Sequence, residues 1–157
     1  MMRTIAVLAV LMLIPLLLMA QPKGPKLVGT TTVKNLTHPD SGGVKKSLGG
    51  DTLLIRLNYK NEGSGTAANA AVISPLDTLE RLVPQSWTTK ECTVLFSSDA
   101  EMKHFAPFPL KIEVVNDKGK KVEKDLPLEK YTAVQFKSRK PIKVGETAIF
   151  EFKAVVR

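Results

Sequence analysis

Few side chains in this 157-residue chain are suited to making or breaking bonds: two histidines, His38 and His104, and one cysteine, Cys92. Histidine works as a general base near neutral pH, an ionised cysteine as a nucleophile, and both join carboxylates around zinc. Each use needs partners brought close. His38 lies in one Gly/Pro loop and His104 in another, neither with a second histidine or the cysteine at ligand spacing. There is no Gly-x-Ser-x-Gly elbow and no Ser-x-x-Lys pair. Acidic residues are scattered singly, unlike a calcium loop. Gly63-Ser64-Gly65 lacks the following lysine of a phosphate cradle. The sequence therefore predicts no catalytic, metal or cofactor-binding residue and a protein that is not an enzyme. The rival expectation is an exported hydrolase, or an accessory subunit of an envelope enzyme, with a site assembled from scattered residues.

Binding chemistry has more to work with. The formal net charge is +8. Two basic clusters carry much of it: Lys118, Lys120, Lys121 and Lys124, then Lys137, Arg139, Lys140 and Lys143. Such clusters attract anionic lipid or an acidic polymer. Equally, lysines on turns keep sheet edges from pairing, and that is the plainer reading. Nucleic acid is excluded as a partner because no aromatic ladder accompanies either cluster. A third candidate is Phe105-Ala106-Pro107-Phe108-Pro109, where Phe105 and Phe108 form either a recognition knob or a plug for the open end of a sandwich; large aromatics favour the plug. Trp87 reads as a core or cap residue. Cys92 excludes an internal disulfide and reads as a buried, inert thiol rather than a bridge to a second chain.

The elements that position these residues are short strands. Leu53, Ile55, Leu57 and Tyr59 alternate with Arg56, Asn58 and Lys60, which predicts a half-buried strand. Asn61-Glu62-Gly63-Ser64-Gly65 supplies residues that tolerate positive φ and turn the chain. A second strand is expected over 70–74, stopped by Pro75. Leu27–Asn35, rich in Thr and Val, reads as an edge strand, and 36–49 as a loop. Asn35-Leu36-Thr37 fits a glycosylation acceptor. Residues 76–83 fit either a short strand or one turn of helix. Further strands are expected over 93–97, 132–137 and 147–156. Residues 110–125 read as a hairpin about Asn116-Asp117-Lys118-Gly119, a type I turn closed by a left-handed glycine. No helix of three turns is expected after the leader. Seven to nine short strands between Gly/Pro/Asn turns predict an all-β, immunoglobulin-like antiparallel β-sandwich.

Gly50-Asp51-Thr52 with its alternating strand, Asn61-Glu62-Gly63 and the 67–73 strand resemble the conserved-repeat β-sandwich of bacterial envelope proteins, a domain of unknown function numbered eleven. Val144-Gly145-Glu146-Thr147, followed by Ala148, Phe150, Phe152, Ala154 and Val156, is similar to that family's closing turn and strand. Between them the chain has Ser74-Pro75-Leu76-Asp77 where the family has a short acidic-Leu-Pro connection. The resemblance implies a module with a binding or structural role at the cell envelope or surface. The lumenal domain of translocon-associated proteins has a similar two-strand opening, and is an alternative.

Residues 1–20 combine Arg3, an apolar run over 5–19 and Ala20, the pattern of a secretory signal. Without them the charge balance is 22 − 15 = +7. Residues 21–26 read as a mobile Pro/Gly linker and 27–157 as one domain. The expected location is periplasmic, cell-surface or extracellular. Expected partners are an envelope protein or acidic surface polymer, with at most peripheral membrane association.

Overall fold

The computed structural model describes residues 24–39 and 47–157. Residues 1–20, expected to be a secretory signal, residues 21–23 of the expected linker and residues 40–46 of the first loop lie outside them. The described residues form nine strands: β1 (Leu27–Asn35), β2 (Thr52–Asn61), β3 (Ala71–Pro75), β4 (Glu80–Leu82), β5 (Cys92–Ser97), β6 (Lys111–Val115), β7 (Lys121–Asp125), β8 (Ala133–Ser138) and β9 (Thr147–Val156). One 3-10 turn, Leu128–Lys130, is the only helical element among them. Every strand pair is antiparallel. The larger sheet has the order β1-β2-β9-β4 and the smaller β3-β8-β5, while β6 and β7 form a separate ribbon. The chain is an all-β antiparallel sandwich without a disulfide.

Strand alternation explains the core. Ile55 and Leu57 of β2 and Phe150, Phe152 and Ala154 of β9 point inward from the larger sheet. Val72 of β3, Phe96 of β5 and Val134 and Phe136 of β8 meet them from the smaller one. Phe136 stacks on Phe150 with ring centroids 5.2 Å apart. Each of these side chains except that of Ala154 contributes roughly 1.5–3 kcal/mol by leaving water. Tyr59, last in the alternation, is half-buried at the margin of this cluster.

Pro75 shows how the sequence selects an edge. Ser138 N–H donates to Ala70 O, and Leu76 N–H donates to Thr132 O. Even-numbered residues of β3 therefore bond to β8, and the missing N–H of Pro75 faces away from the ladder, where proline costs nothing. Residues 76–83, open between strand and helix, contain β4, which pairs with the C-terminal end of β9.

Four expectations are corrected. Residues 24–26 are not a free linker: Gly24 O accepts from Ser64 N–H (3.0 Å), and Lys26 O accepts from Glu62 N–H (2.8 Å). Gly63 and Gly65 are not at positive φ, which glycine takes at 50, 119 and 145. Gly63 is needed for close approach instead, since a Cβ there would collide with Gly24 O and Lys26 N. Asn35 is no open glycan acceptor, because it is buried with its Nδ2 donating to Asp51 Oδ2 at 2.6 Å. The 110–125 hairpin forms as expected, with Gly119 at φ 71° and Asn116 Oδ1 accepting from Lys118 and Lys120 N–H. Its alternation does not place it in the sandwich, however. The β6–β7 ribbon packs on neither sheet, and Ile112 stays exposed.

Candidate functional site

The turns that carry the family resemblance meet at one end of the sandwich. β2 ends at Asn61, whose N–H donates to Glu146 O (2.9 Å) and whose C=O accepts from Gly145 N–H (2.8 Å). The Asn61 side chain is fully buried. Its Nδ2 donates to Gly65 O (2.8 Å) and Ile142 O (2.9 Å), and its Oδ1 accepts from Gly63 N–H (3.1 Å) and Lys26 N–H (3.2 Å). One amide thus satisfies backbone groups from three segments, which is how a buried polar side chain is retained. Ala67 and Ile142 exchange backbone bonds beside it, with Ala70 completing a small apolar cluster.

The second basic cluster surrounds this junction. β8 exits at Ser138, and Arg139 N–H donates to Glu91 O (2.8 Å). Lys140 Nζ reaches Glu91 Oε1 at 2.6 Å. That hydrogen bond, aided by the ammonium charge, lowers the Glu91 carboxyl below its ordinary value. Arg139 Nε donates to Thr93 Oγ1 on the outer face of the smaller sheet, the face on which Lys137 also lies. Lys137 and Lys143 are exposed, and among the described residues neither forms an ion pair. A cleft of about 440 Å³ opens here, lined by Glu91, Ser138, Lys140, Ile142 and Glu146 among others.

The first basic cluster lies elsewhere. The ribbon's base is at the opposite end of the smaller sheet, where Leu110 N–H donates to the Tyr131 hydroxyl (2.8 Å) just before β8 begins. Lys111, Lys118, Lys120, Lys121 and Lys124 are offset by Glu113, Asp117, Glu123 and Asp125, so the ribbon's net charge is 5 − 4 = +1. Lys121 pairs with Glu113 at 2.9 Å and Lys111 pairs with Asp125. The structure does not join the two clusters into one patch.

Phe105 and Phe108 also part. Phe108 enters an aromatic cluster, with its ring centroid 5.1 Å from Trp87 and 5.7 Å from Phe96. That is the plug expected for it, and Trp87, half-buried, packs against the core, in keeping with the core-or-cap expectation. Phe105 is not in the plug: Ala106 pairs with Phe96 and leaves the Phe105 ring lining a 210 Å³ cleft with Asp99, His104 and Lys111. Cys92 is 1% exposed, its Sγ donates to Thr88 O, and burial raises its pKa, so the inert reading holds.

Each histidine meets one aspartate, a pairing that spacing did not reveal. His38 Nδ1 lies 2.7 Å from Asp51 Oδ1, and Asp51 is 2% exposed. Leu48 N–H and Asn35 Nδ2 also bond Asp51, and the three donors lower its carboxyl. His104 Nδ1 lies 3.1 Å from Asp99 Oδ2, whose carboxyl is lowered by the Glu101 and Lys103 N–H groups and then by His104. Both aspartates fasten loops, a use for carboxylates that Asx-type turns share. Among the described residues no three His, Cys, Asp or Glu side chains converge, and no helix is long and apolar enough to cross a membrane. No family model, curated protein or solved structure matches this chain.

Proposed function

We propose that the protein is an exported, non-enzymatic β-sandwich module that binds an acidic surface or envelope partner through the end bearing Lys137, Arg139, Lys140 and Lys143. One observation supports this reading most: the Asn61 and Gly145 turns are locked by backbone and amide bonds, and beside them Lys137 and Lys143 are exposed and, among the described residues, without an ion pair. The charge there is not cancelled as it is on the ribbon. Among the described residues only Glu91 pairs with the cluster, and Glu146 uses Oε2 to accept from Lys143 N–H. Screening over roughly 8 Å at physiological salt requires several charges to act together at short range, which a single turn achieves.

Reversing Lys137, Arg139, Lys140 and Lys143 to glutamate should abolish retention on anionic vesicles or an acidic wall polymer at low salt. Reversing Lys118, Lys120, Lys121 and Lys124 should weaken retention much less. Wild-type protein that is not retained, or retention indifferent to the first set, overturns the proposal. Loss confined to the second set moves the site to the ribbon.

A further inference from the structure

β1 is nine residues long and, among the described residues, pairs on one side only, with β2. The other edges of the sandwich are blunted. β3 ends in Pro75, β4 is three residues long, and β5 is covered by Ala106, which exchanges hydrogen bonds of 2.8 and 2.9 Å with Phe96. Proteins ordinarily protect edges by such devices, and a long, uncharged edge is a template for pairing. From Val28 to Val33 β1 carries no charge.

The bonding phase of that edge can be read directly. Glu62 N–H donates to Lys26 O and Leu36 N–H to Thr52 O, so the even-numbered residues of β1 bond to β2. The N–H and C=O groups of Leu27, Gly29, Thr31 and Val33 therefore point outward. We propose that a second copy of this chain adds to this edge, antiparallel, about a two-fold axis perpendicular to the sheet at Thr31. Such an axis keeps each sheet face on its own side, so only residues of like parity can meet across it. Thr31 is both the midpoint of Leu27–Asn35 and an outward-bonding residue. Alignment about Thr31 therefore overlaps all nine residues with a hydrogen-bonded pair at the centre and no charge opposite a like charge, so the strand is complementary to its own copy.

In that register Thr31 meets its own copy, and Thr30 meets Thr32 of the second copy. Lys34 faces Val28 rather than another lysine. Val33, 45% exposed in one chain, falls opposite Gly29, over which the Tyr59 ring lies. An aromatic ring beside a β-branched side chain is a favourable cross-strand pair.

Sedimentation of the purified full chain at about 0.1 mM should show a dimer, since strand addition of this size gives modest affinity. Thr31→Pro removes only an outward N–H, so it should give a monomer whose melting midpoint equals that of wild-type protein diluted until it too is monomeric, whereas Thr32→Pro breaks the ladder to β2 and should lower that midpoint. Thr31→Cys should oxidise to a covalent dimer without denaturant, because residues of a hydrogen-bonded antiparallel pair lie about 5.5 Å apart at Cα, within disulfide range. Thr32→Cys should not. A wild-type monomer that Thr31→Cys fails to cross-link overturns the proposal, as does a dimer that Thr31→Pro leaves intact. So does slow amide exchange at Gly29 and Val33 in monomeric Thr31→Pro, which would mean that the chain covers its own edge.

Discussion

The two ends of the smaller sheet are closed by different means. Where β5 and β8 meet at Ser97 and Ala133, Trp87, Phe96, Phe108 and Tyr131 fill the opening with ring centroids 4.7–6.1 Å apart. Where β8 leaves at Ser138, the local apolar cluster is only Ala67, Ala70 and Ile142, and closure comes from hydrogen bonds gathered by Asn61. Rings close an end by area and leave little of themselves for a partner. An amide hub closes it by bonding backbone to backbone, so the side chains of the turn remain outside. The same sandwich thus has one end closed by apolar burial and one closed by polar bonding, the latter being where binding is proposed.

Truncation should separate the two. Phe96→Ala removes the ring common to three aromatic pairs and should cost about 3–5 kcal/mol, measured as a shifted urea midpoint. A shift as small as that of an exposed substitution would break the contrast. Asn61→Ala should cost less, on the order of 1–3 kcal/mol, because it leaves the carbonyl of Gly65 and the N–H groups of Gly63 and Lys26 without their side-chain partner, while Ile142 O keeps its bond from Ala67 N–H. It should also speed amide exchange at Gly145 and Glu146 while leaving that of β5 unchanged. Uniform acceleration throughout the sandwich would mean that the ends are one unit.

The smallest effect expected is on acid stability. The Asp51, Asp99 and Glu91 carboxyls are all lowered in the folded chain. Groups with depressed folded values contribute stability above their unfolded values, and it is lost as pH falls through the folded ones. For the aspartates the contribution is intact above the ordinary value of 3.8 and declines below it. Asp51→Asn should therefore flatten the acid limb of a melting-versus-pH curve below that value. An unchanged limb would remove Asp51 from the contrast and leave Asp99, Glu91 and Glu129 as its sources.

Much of the fold was legible because it is local. The alternation of Leu53, Ile55, Leu57 and Tyr59, the Asn116–Gly119 turn and the Thr/Val composition of β1 each state their structure within ten residues. What could not be read is pairing at long range. Nothing near Thr147 says that β9 lies between β2 and β4 rather than at an edge. Ile112 and Val114 alternate like a core strand, yet the ribbon stands clear, because burial depends on what the alternating face meets. The basic turn was legible as composition alone. Its distinction from the equally lysine-rich ribbon rests on Glu113 and Asp125 standing across from Lys121 and Lys111, and on Asn61 reaching residue 142. Asp51 was read as the start of a strand, while its carboxylate proved to be the knot joining Asn35, His38 and Leu48.

The single tryptophan makes the asymmetry visible to a spectrometer. Trp87 sits edge-on to Phe96 and Phe108, so indole emission follows solvent entry at the aromatic end and is blind to the other. A two-state protein gives superimposable curves whatever the probe. If the polar end loosens first, backbone circular dichroism will depart from its baseline while the emission maximum holds still. The interval between the two curves would then measure how independently the polar end can open.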